Sequence, residues 1–404
     1  MIWTDGPFRG GDVSKTVRTL TDLLSLAGSK RFLETPPTED LGFAEALHFP
    51  FLALVGQREM KLALLLTIIN PNIGGALLIG PRGTGKTTAV RGLAPLLPDV
   101  QRSRCPYGCL PEDIEAGGMD AVCPDCAKRY GENQPLTFTD RVSLIELPLN
   151  ARLEDVIGSL SEQGPHVRMR IRRGILSRAD QNILYADEVN LLSDPVVDAM
   201  LDAAAQGTYS VHRGSQVATY RSRFNLIGCM NPEEGRLRPQ ILDRFGLRVI
   251  VPGISDRTDR MEAYRRALAY RRSPLAFSQQ YAHFTEQIRV ELEDTREKIQ
   301  ETTLLQRTRD AGLAMIERLG IHSLRAELTL FEAARAYTVA DGRKRVRVED
   351  VRIVAPMALR MRRSSFMQGF LDAQATEDVE ILAALDVPLD KLGGDEEKKN
   401  TPER

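Results

Sequence analysis

The residues with the clearest chemistry form a loop at positions 80–87, whose sequence GPRGTGKT fits the phosphate-binding pattern G-x-x-x-x-G-K-[ST]. Its glycines allow the backbone to curl so that successive N–H groups point inward at a phosphate. Lys86 would supply a positive charge to the β- and γ-phosphate oxygens, and the Thr87 hydroxyl would hold Mg²⁺. The predicted nucleotide-binding residues of this segment are Gly80, Gly83, Thr84, Gly85, Lys86, Thr87 and Thr88.

Two predicted elements flank this loop. Residues 76–79 are apolar and predict a strand that ends where the loop begins, and residues 88–94 predict a helix directly after it. The N-terminal end of such a helix carries partial positive charge, which attracts phosphate. A chance run of glycines is the alternative. A strand before the loop and a helix after it favour a nucleotide site, with ATP and Mg²⁺ as the cofactors.

A second signal is an apolar stretch at 183–186 that is followed by two carboxylates. At the end of a strand, Asp187 could bind the Mg²⁺ shell, and Glu188 could polarise the water that attacks the γ-phosphate. Two surface acids at the end of a strand are the alternative. That alternative would be reasonable for this stretch alone, but the phosphate loop makes it weak.

Two further residues are candidates for the reaction. Asn231 follows a predicted strand at 224–228, and its amide could hydrogen-bond the γ-phosphate or the attacking water, although Asn-Pro is also an ordinary turn. Arg244 could stabilise transition-state charge on a neighbouring subunit's nucleotide, or it could be a surface arginine paired with Asp243. The predicted catalytic residues are Lys86, Glu188, Asn231 and Arg244.

Four of the five cysteines lie close together in the chain. They have the spacing C-x₃-C-x₁₃-C-x₂-C, and they are Cys105, Cys109, Cys123 and Cys126. Two close pairs joined by a loop suit tetrahedral Zn²⁺, so we predict a structural zinc site. A redox pair and four ordinary thiols are the alternatives, and no thioredoxin-like pattern surrounds the pairs. We expect Cys229 to lie in the packed core, and none of the five histidines is assigned to a metal or to catalysis.

The chain divides into segments of different character. Strand candidates alternate with helical stretches over 46–254, which predicts an α/β domain with a largely parallel sheet and helices on both faces. Residues 255–370 predict an all-α domain, with Ser255 as the cap of its first helix. Residues 1–45 form an N-terminal extension, and 371–404 a charged tail expected to be partly disordered. The strand candidates are 76–79, 142–147, 183–186, 224–228 and 248–251.

Length and composition limit the function. The 404 residues suggest two or three domains, and the formal net charge of −1 argues against a protein built mainly to coat nucleic acid. The longest apolar run, 62–69, is far shorter than the roughly 20 residues that a membrane helix needs. The first residues lack the pattern of a secretion signal. We therefore expect a cytoplasmic protein with no membrane span and no nucleic-acid partner.

Taken together, the motifs resemble those of AAA+ ATPases. Further short segments indicate one family among the AAA+ ATPases, because they are similar to the ATPase (I) subunit of magnesium chelatase and its cobalt-chelatase relatives. These strings are FPF at 49–51, VGQ at 55–57, MKLAL at 60–64, DEVNLL at 187–192, NPEEG at 231–235, LRPQILDRFG at 237–246, LRAELTL at 324–330 and VEDV at 348–351. The resemblance covers roughly residues 46–365 and is more specific than a phosphate loop alone.

The resemblance implies a motor subunit with a P-loop α/β domain and an all-α lid. It implies a homo-oligomeric ring, usually a hexamer, with ATP between subunits. It also implies a second AAA+ (D) subunit with an integrin-like domain and a porphyrin-binding (H) subunit. By motif position, Arg244 would be the finger that acts on the neighbour's ATP, and Arg325 would be a second sensor that reaches the γ-phosphate from the helical domain. Without the resemblance, Arg325 would be interpreted as a surface helix position.

Two insertions of the family can be located. Residues 208–220 predict a hairpin that turns near Gly214, and a second hairpin insertion is expected within 153–174. In the second insertion, the acidic segment and the Glu-Pro-Gly typical of the family are replaced by residues 161–166 and 168–174. Within 168–173, arginines alternate with apolar residues and predict a strand with one cationic face. That face could touch an acidic partner or line the pore of the ring, although a merely solvated face is favoured.

The function that the resemblance implies is ATP hydrolysis that drives Mg²⁺ insertion into protoporphyrin IX in (bacterio)chlorophyll biosynthesis. One alternative keeps the ATPase but changes its client, as in a cobalt-chelatase-type or MoxR-like remodelling ATPase with a von Willebrand/integrin-like-domain partner. Nucleic-acid translocation is a second alternative, against which the near-zero net charge argues. A nucleotide-gated scaffold is a third, and the intact Lys86, Asp187 and Glu188 argue against it.

Overall fold

The computed structural model of the chain describes residues 47–363, apart from 164–167, 214–215 and 236, together with positions 374, 376, 377 and 379. The predicted N-terminal extension and nearly all of the predicted tail lie outside the described residues. Within the described part of the chain, no helix combines the length and the apolar character needed to cross a membrane.

Strands and helices follow one another along the described part of the chain. The strands are β1 (Ala76–Ile79), β2 (Asp99–Ser103), β3 (Thr137–Arg141), β4 (Leu144–Leu147), β5 (Gly158–Gln163), β6 (Arg168–Arg173), β7 (Ile183–Ala186), β8 (Thr208–Arg213), β9 (Gln216–Arg221), β10 (Asn225–Met230) and β11 (Leu247–Ile250). The helices are α1 (Arg58–Ile69), α2 (Lys86–Arg91), α3 (Pro111–Gly117), α4 (Pro124–Gly131), α5 (Leu153–Ile157), α6 (Ile175–Ala179), α7 (Asp194–Gln206), α8 (Pro239–Arg244), α9 (Arg257–Arg272), α10 (Pro274–Lys298), α11 (Gln306–Arg318), α12 (Leu324–Ala340) and α13 (Val348–Leu359).

Five parallel strands form the central sheet, in the spatial order β11–β1–β10–β7–β4. Every residue of β1, β7 and β10 is buried, because these mostly apolar strands are covered by helices on both faces. Residues of α1 and of the helical domain, α10 to α13, pack on one face, and residues of α6 and α7 pack on the other. The carboxyl ends of β1, β10 and β7 therefore meet at one edge of the sheet, where they position the residues that follow them.

The strand predictions for the central sheet are confirmed, with small errors at the ends. β1 and β7 coincide with the predicted strands. β10 begins one residue later and ends two residues later than predicted, β4 begins two residues later, and β11 begins and ends one residue earlier. The helix after the phosphate loop occupies 86–91, not the predicted 88–94. It begins within the loop motif because Gly85, with a φ of 86°, already turns the chain into the helix.

An antiparallel ribbon of β2 and β3 was outside the sequence prediction. Asp99 pairs with Arg141 at one end of the ribbon, and Ser103 pairs with Thr137 at the other. Both strands are short and mostly polar, so no apolar alternation marks them. The ribbon carries the four-cysteine module, defined here as residues 105–126, away from the central sheet.

The first helix of the helical domain has a different cap from the predicted one. The side chain of Asp256 accepts a hydrogen bond from the Asp259 amide at 2.9 Å, and the helix begins at Arg257. The prediction that Ser255 caps this helix is therefore wrong by one residue. Aspartate and serine are both good caps, so composition alone could not decide between them.

Both predicted insertions contain hairpins. β8 pairs with β9 from Thr208 opposite Arg221 to Arg213 opposite Gln216, which confirms the hairpin, while its predicted turn at 214 lies outside the described residues. The other insertion begins with the short helix α5 and continues as the hairpin β5–β6. The predicted strand at 168–173 is β6, whereas its predicted cationic face involves side chains outside the described part.

One buried arginine ties the helical domain to the α/β domain. Arg362, just after α13, donates to the Asp243 carboxylate at 2.8 Å and to the Gly246 carbonyl at 2.9 Å. It also donates to the Ala358 carbonyl at 2.7 Å, and its side chain is fully buried. Burial lowers the pKa of Arg362, an effect that the nearby Asp243 opposes. Arg362 therefore bridges α13 and the segment before β11, in addition to the apolar core that the two domains share.

We expect Arg362→Ala to lower the free energy of unfolding by about 3 kcal/mol, because a carboxylate and several carbonyls lose a buried charged donor. Arg363→Ala is the matched control, since Arg363 is exposed, and it should stay within about 0.5 kcal/mol of the unsubstituted protein. Urea denaturation followed by circular dichroism measures both values. Equal stability of the two variants would contradict the role of Arg362 at this junction.

Candidate active site and four-cysteine site

The phosphate loop has the backbone shape that its glycines allow. Gly83 and Gly85 have φ values of 77° and 86°, in the left-handed region that favours glycine. A Cβ atom at Gly80 would lie 2.2 Å from the Val251 carbonyl oxygen, so only glycine fits beside β11. The Gly80 amide donates to the Met230 carbonyl at 3.1 Å, which connects the loop to the end of β10.

Lys86 is buried and folded over the loop. Its ammonium donates to the carbonyls of Gly80 at 2.6 Å and Pro81 at 2.8 Å. The Thr84 hydroxyl donates to the same Pro81 carbonyl at 3.1 Å, which helps to hold the curl. Anionic phosphate oxygens are stronger acceptors than carbonyls, so the ammonium is placed to transfer its hydrogen bonds to a phosphate in the loop.

The loop and the acidic strand meet directly. The Thr87 hydroxyl donates to the Asp187 carboxylate at 3.1 Å, although the two residues are 100 positions apart. The Tyr185 hydroxyl donates to the Thr87 oxygen at 3.2 Å and so orients it. Burial raises the pKa of Tyr185, so this hydroxyl keeps its proton as a donor. A hydroxyl and a carboxylate that meet at one point are the protein ligands that a nucleotide-bound Mg²⁺ uses.

Glu188 has an uncommon backbone conformation. Its φ is 47°, in the left-handed region, and its amide donates to the Asp187 carboxylate at 3.1 Å. The Glu188 carboxylate lies 3.5 Å from the Arg82 guanidinium. A non-glycine residue with positive φ is strained, and such residues occur often at functional sites.

Asn231 lies at the same edge of the sheet, together with two residues with no predicted role, Arg82 and Glu234. The buried Asn231 amide donates to the Glu234 carboxylate at 3.0 Å, and Arg82 pairs with the same carboxylate at 2.5 Å. Arg82 therefore connects Glu188 to Glu234. Arg82 occupies a variable position of the loop motif, and Glu234 belongs to the NPEEG string, which was the only available signal for it.

Arg244 and Arg325 lie at the opposite edge of the sheet. Arg244 is three residues before β11, whose first residue pairs with Ala76, the first residue of β1, whereas the phosphate loop follows the last residue of β1. Arg244 pairs with Asp202 at 2.8 Å, so its predicted alternative partner, Asp243, is not its partner here. Arg325 donates to the Asp243 carbonyl at 3.2 Å. The structure therefore groups these two arginines together and does not bring them to the phosphate loop of the same chain.

The sulfur atoms of the four predicted cysteines lie within 4.8 Å of one another. The Cys109 amide points at the Cys105 sulfur at 3.3 Å, and the Cys123 amide points at the Cys109 sulfur at 3.4 Å. Four thiolates with bonds of about 2.3 Å to a tetrahedral Zn²⁺ require a sulfur cluster of this size. The donor set therefore fits zinc, whereas Cys229 is buried in β10, apart from this group.

The thiols of this cluster differ in acidity. Burial disfavours ionisation of Cys105, but hydrogen bonds from Ser103 and the Cys109 amide outweigh it and lower the pKa of Cys105 to about 7. Burial raises the pKa of Cys109 to about 12, and it also raises the pKa of Cys126. Metal binding would therefore have to displace protons from the more deeply buried thiols.

The arrangement of residues at the carboxyl ends of β1, β10 and β7 is typical of a known class of protein. Lys86, Thr87, Asp187, Glu188 and Asn231 converge there because three neighbouring parallel strands end together. With an all-α domain after the sheet, this arrangement defines an AAA+ ATPase. Comparison with known families agrees, since the family model "AAA lid domain" matches residues 316–383.

The chain belongs to the ATPase (ChlI) subunit family of magnesium chelatase. The family model "Magnesium chelatase, subunit ChlI" matches residues 164–240. The chain is 39% identical over 336 residues to the magnesium-chelatase subunit ChlI homolog of Methanocaldococcus jannaschii, a match that covers 82% of this chain and 90% of that protein. It is 38% identical over 317 residues to the magnesium-chelatase 38 kDa subunit of Acidiphilium rubrum, covering 78% and 90% of the two chains.

A solved structure also matches the chain. It is a cryo-EM-based description of the complex between subunits BchI and BchD of magnesium chelatase, and the matching chain shares 36% sequence identity. The match covers 79% of this chain and 98% of that one, with a TM-score of 0.43.

We expect two substitutions to separate binding from hydrolysis at this site. Lys86→Ala should raise the dissociation constant for ATP by about tenfold or more, because the phosphates lose their buried cation. Glu188→Gln should leave that constant within about twofold but lower kcat by about 100-fold, because the attacking water loses its base. Isothermal titration and phosphate release measure these effects, with the exposed Lys128→Ala as the control. Unchanged ATP affinity in Lys86→Ala would refute the phosphate-site assignment.

Proposed function

We propose that this chain is the ATP-hydrolysing motor of a magnesium chelatase and drives Mg²⁺ insertion into protoporphyrin IX for (bacterio)chlorophyll synthesis. The observation that carries the motor assignment is the 3.1 Å contact between Thr87 and Asp187, since it joins the phosphate loop to the acidic strand. The reaction that the ATPase serves is inferred from relatives that are 36–39% identical and are named for magnesium chelatase. The porphyrin itself would be held by another subunit.

The residues at this edge would divide the reaction among them. Lys86 and the loop amides bind the β- and γ-phosphates, while Thr87 and Asp187 hold Mg²⁺, which supplies charge neutralisation for phosphoryl transfer. Glu188 takes the proton of the attacking water. Asn231, one strand away, reports on the γ-phosphate. Arg82 already contacts Glu188, so it lies where phosphate binding can alter the position of the base.

The motor works as a homo-oligomeric ring, which we take to be a hexamer. Arg244 and Arg325 lie at the opposite edge from the phosphate loop of their own chain, so each would act on the nucleotide of a neighbour. Beside Arg325, α12 exposes Leu324 and Leu328 by 76% and 64%. Large apolar side chains next to a functional arginine favour a subunit contact there. The D and H subunits described above are the proposed partners, and the cytoplasm is the proposed location.

The four-cysteine module binds a structural Zn²⁺. Its four sulfur atoms already lie within 4.8 Å of one another, and backbone amides point at two of them, as hydrogen-bond donors do beside metal-bound thiolates. Cys105, Cys109, Cys123 and Cys126 would be the ligands. The role is structural because four thiolates leave no open position for a substrate.

We expect the purified chain to support ATP-dependent conversion of protoporphyrin IX to its magnesium complex when it is combined with D and H subunits from a relative. Absorbance and fluorescence of the porphyrin measure the conversion, and the Glu188→Gln variant serves as the inactive control. Insertion of Co²⁺ but not Mg²⁺ into a tetrapyrrole would support the cobalt-chelatase alternative. ATP turnover without metal insertion under any combination would count against a chelatase.

We expect Arg244→Ala to lower ATP turnover by about 1,000-fold, as loss of an arginine finger does. Mixing it with the Lys86→Ala protein should restore part of the turnover, because each partner supplies what the other lacks across one interface. A mixture of Lys86→Ala and Glu188→Gln is the matched control and should not recover, since both changes damage the same half of the site. A phosphate-release assay that finds no recovery in the first mixture would exclude action across subunits.

A further inference from the structure

The β8–β9 hairpin contacts the four-cysteine module through one arginine. Arg221, the last residue of β9, donates to the Gly108 carbonyl at 2.7 Å and to the Asp113 carboxylate at 2.6 Å. The Arg221 backbone amide donates to the Tyr107 carbonyl at 3.1 Å. The Arg221 side chain is only 13% exposed, so these hydrogen bonds are shielded from water and stronger than bonds on an open surface.

An aromatic stack continues the contact into both strands of the hairpin. The ring of Tyr107 stacks on Tyr220 with centroids 5.5 Å apart and an interplanar angle of 18°. Tyr220 in turn stacks on Tyr209, its cross-strand partner, at 5.5 Å and 25°. Both hairpin tyrosines are buried in the core of the α/β domain, and Tyr107 adds a ring contact from the module to the same tyrosine pair.

The contact depends on the backbone between the first two cysteines. Tyr107 and Gly108 lie between Cys105 and Cys109, and Gly108 has a φ of 81°. A Cβ atom at Gly108 would lie 2.6 Å from the Cβ atom of Arg221. The two carbonyls that Arg221 uses are therefore presented by a short loop whose shape is set at both ends by thiol ligands.

We propose that metal binding by the four thiols clamps the β8–β9 hairpin in place, with Arg221 and Tyr107 as the points of contact. This proposal rests on the proposed zinc site. It gives the metal a second effect outside the module, on a hairpin that leads directly into β10, the strand before Asn231. Ser222 to Phe224 are the only residues between the hairpin and that strand.

The module has little besides the metal to hold its shape. Its apolar cluster has five buried residues, of which Leu136 follows the module in the chain and two are proposed metal ligands; the other four are Cys109, Ile114, Val122 and Cys126. A core of this size does not stabilise a fold alone, and small modules of this kind usually owe their folding to the metal. Without the metal, the 105–109 loop would no longer present its carbonyls to Arg221, and the base of the hairpin would keep only its packing on the α/β core.

Hydrogen exchange of the full-length protein tests the clamp. Elemental analysis first measures bound zinc, and a chelator then removes it. In the unsubstituted protein, we expect chelation to raise amide exchange in 208–221 by about tenfold or more, while exchange in β1 stays unchanged. In Arg221→Ala, exchange in the hairpin should already be raised with zinc still bound, and chelation should add little. Arg129→Ala, at an exposed position of α4, should behave like the unsubstituted protein.

Asp113→Asn provides a milder variant if Arg221→Ala fails to fold, and it should raise hairpin exchange to an intermediate degree. Removal of zinc that leaves exchange in 208–221 unchanged would overturn the clamp while leaving the zinc site intact. A protein that contains no zinc when purified anaerobically would overturn both. Neither result affects the motor assignment, which the ATP-binding and hydrolysis measurements on Lys86→Ala and Glu188→Gln test separately.

Discussion

The contact between Thr87 and Asp187 is the interaction on which the site at the carboxyl edge of the sheet depends. It joins two segments that are 100 residues apart, and it exists only because β1 and β7 run parallel in one buried sheet with β10 between them. The ends of the strands place both residues close together, so two short side chains are enough to make the contact. Short side chains on rigid strands lose little entropy when they bind a ligand, which suits a site that must bind and release nucleotide in every cycle.

The two edges of the sheet carry different parts of the proposed reaction. The carboxyl edge has the phosphate loop, the acids and Asn231, whereas the amino edge has Arg244 and, through Asp243, Arg325. Asp243 also receives the buried Arg362 of the helical domain. Asp243 therefore links the helical domain to the amino edge, where the neighbour's nucleotide is proposed to lie.

The sequence predicted what depends on local pattern. β1 and β7 were located to the residue because four consecutive apolar residues flanked by a loop motif or by acids leave little choice. The partners of Arg244 and Arg325 were not predicted, because they depend on how separate elements pack. The polar ribbon of β2 and β3 was missed since it has no apolar alternation. Arg82 and Glu234 were missed because their roles arise only when two loops meet.

The left-handed backbone at Glu188 sets the proposed activity against stability at a single residue. A glycine there would relieve strain of roughly 1 kcal/mol and would remove the carboxylate in the same step. A laboratory selection for heat resistance alone would thus be drawn toward losing this carboxylate.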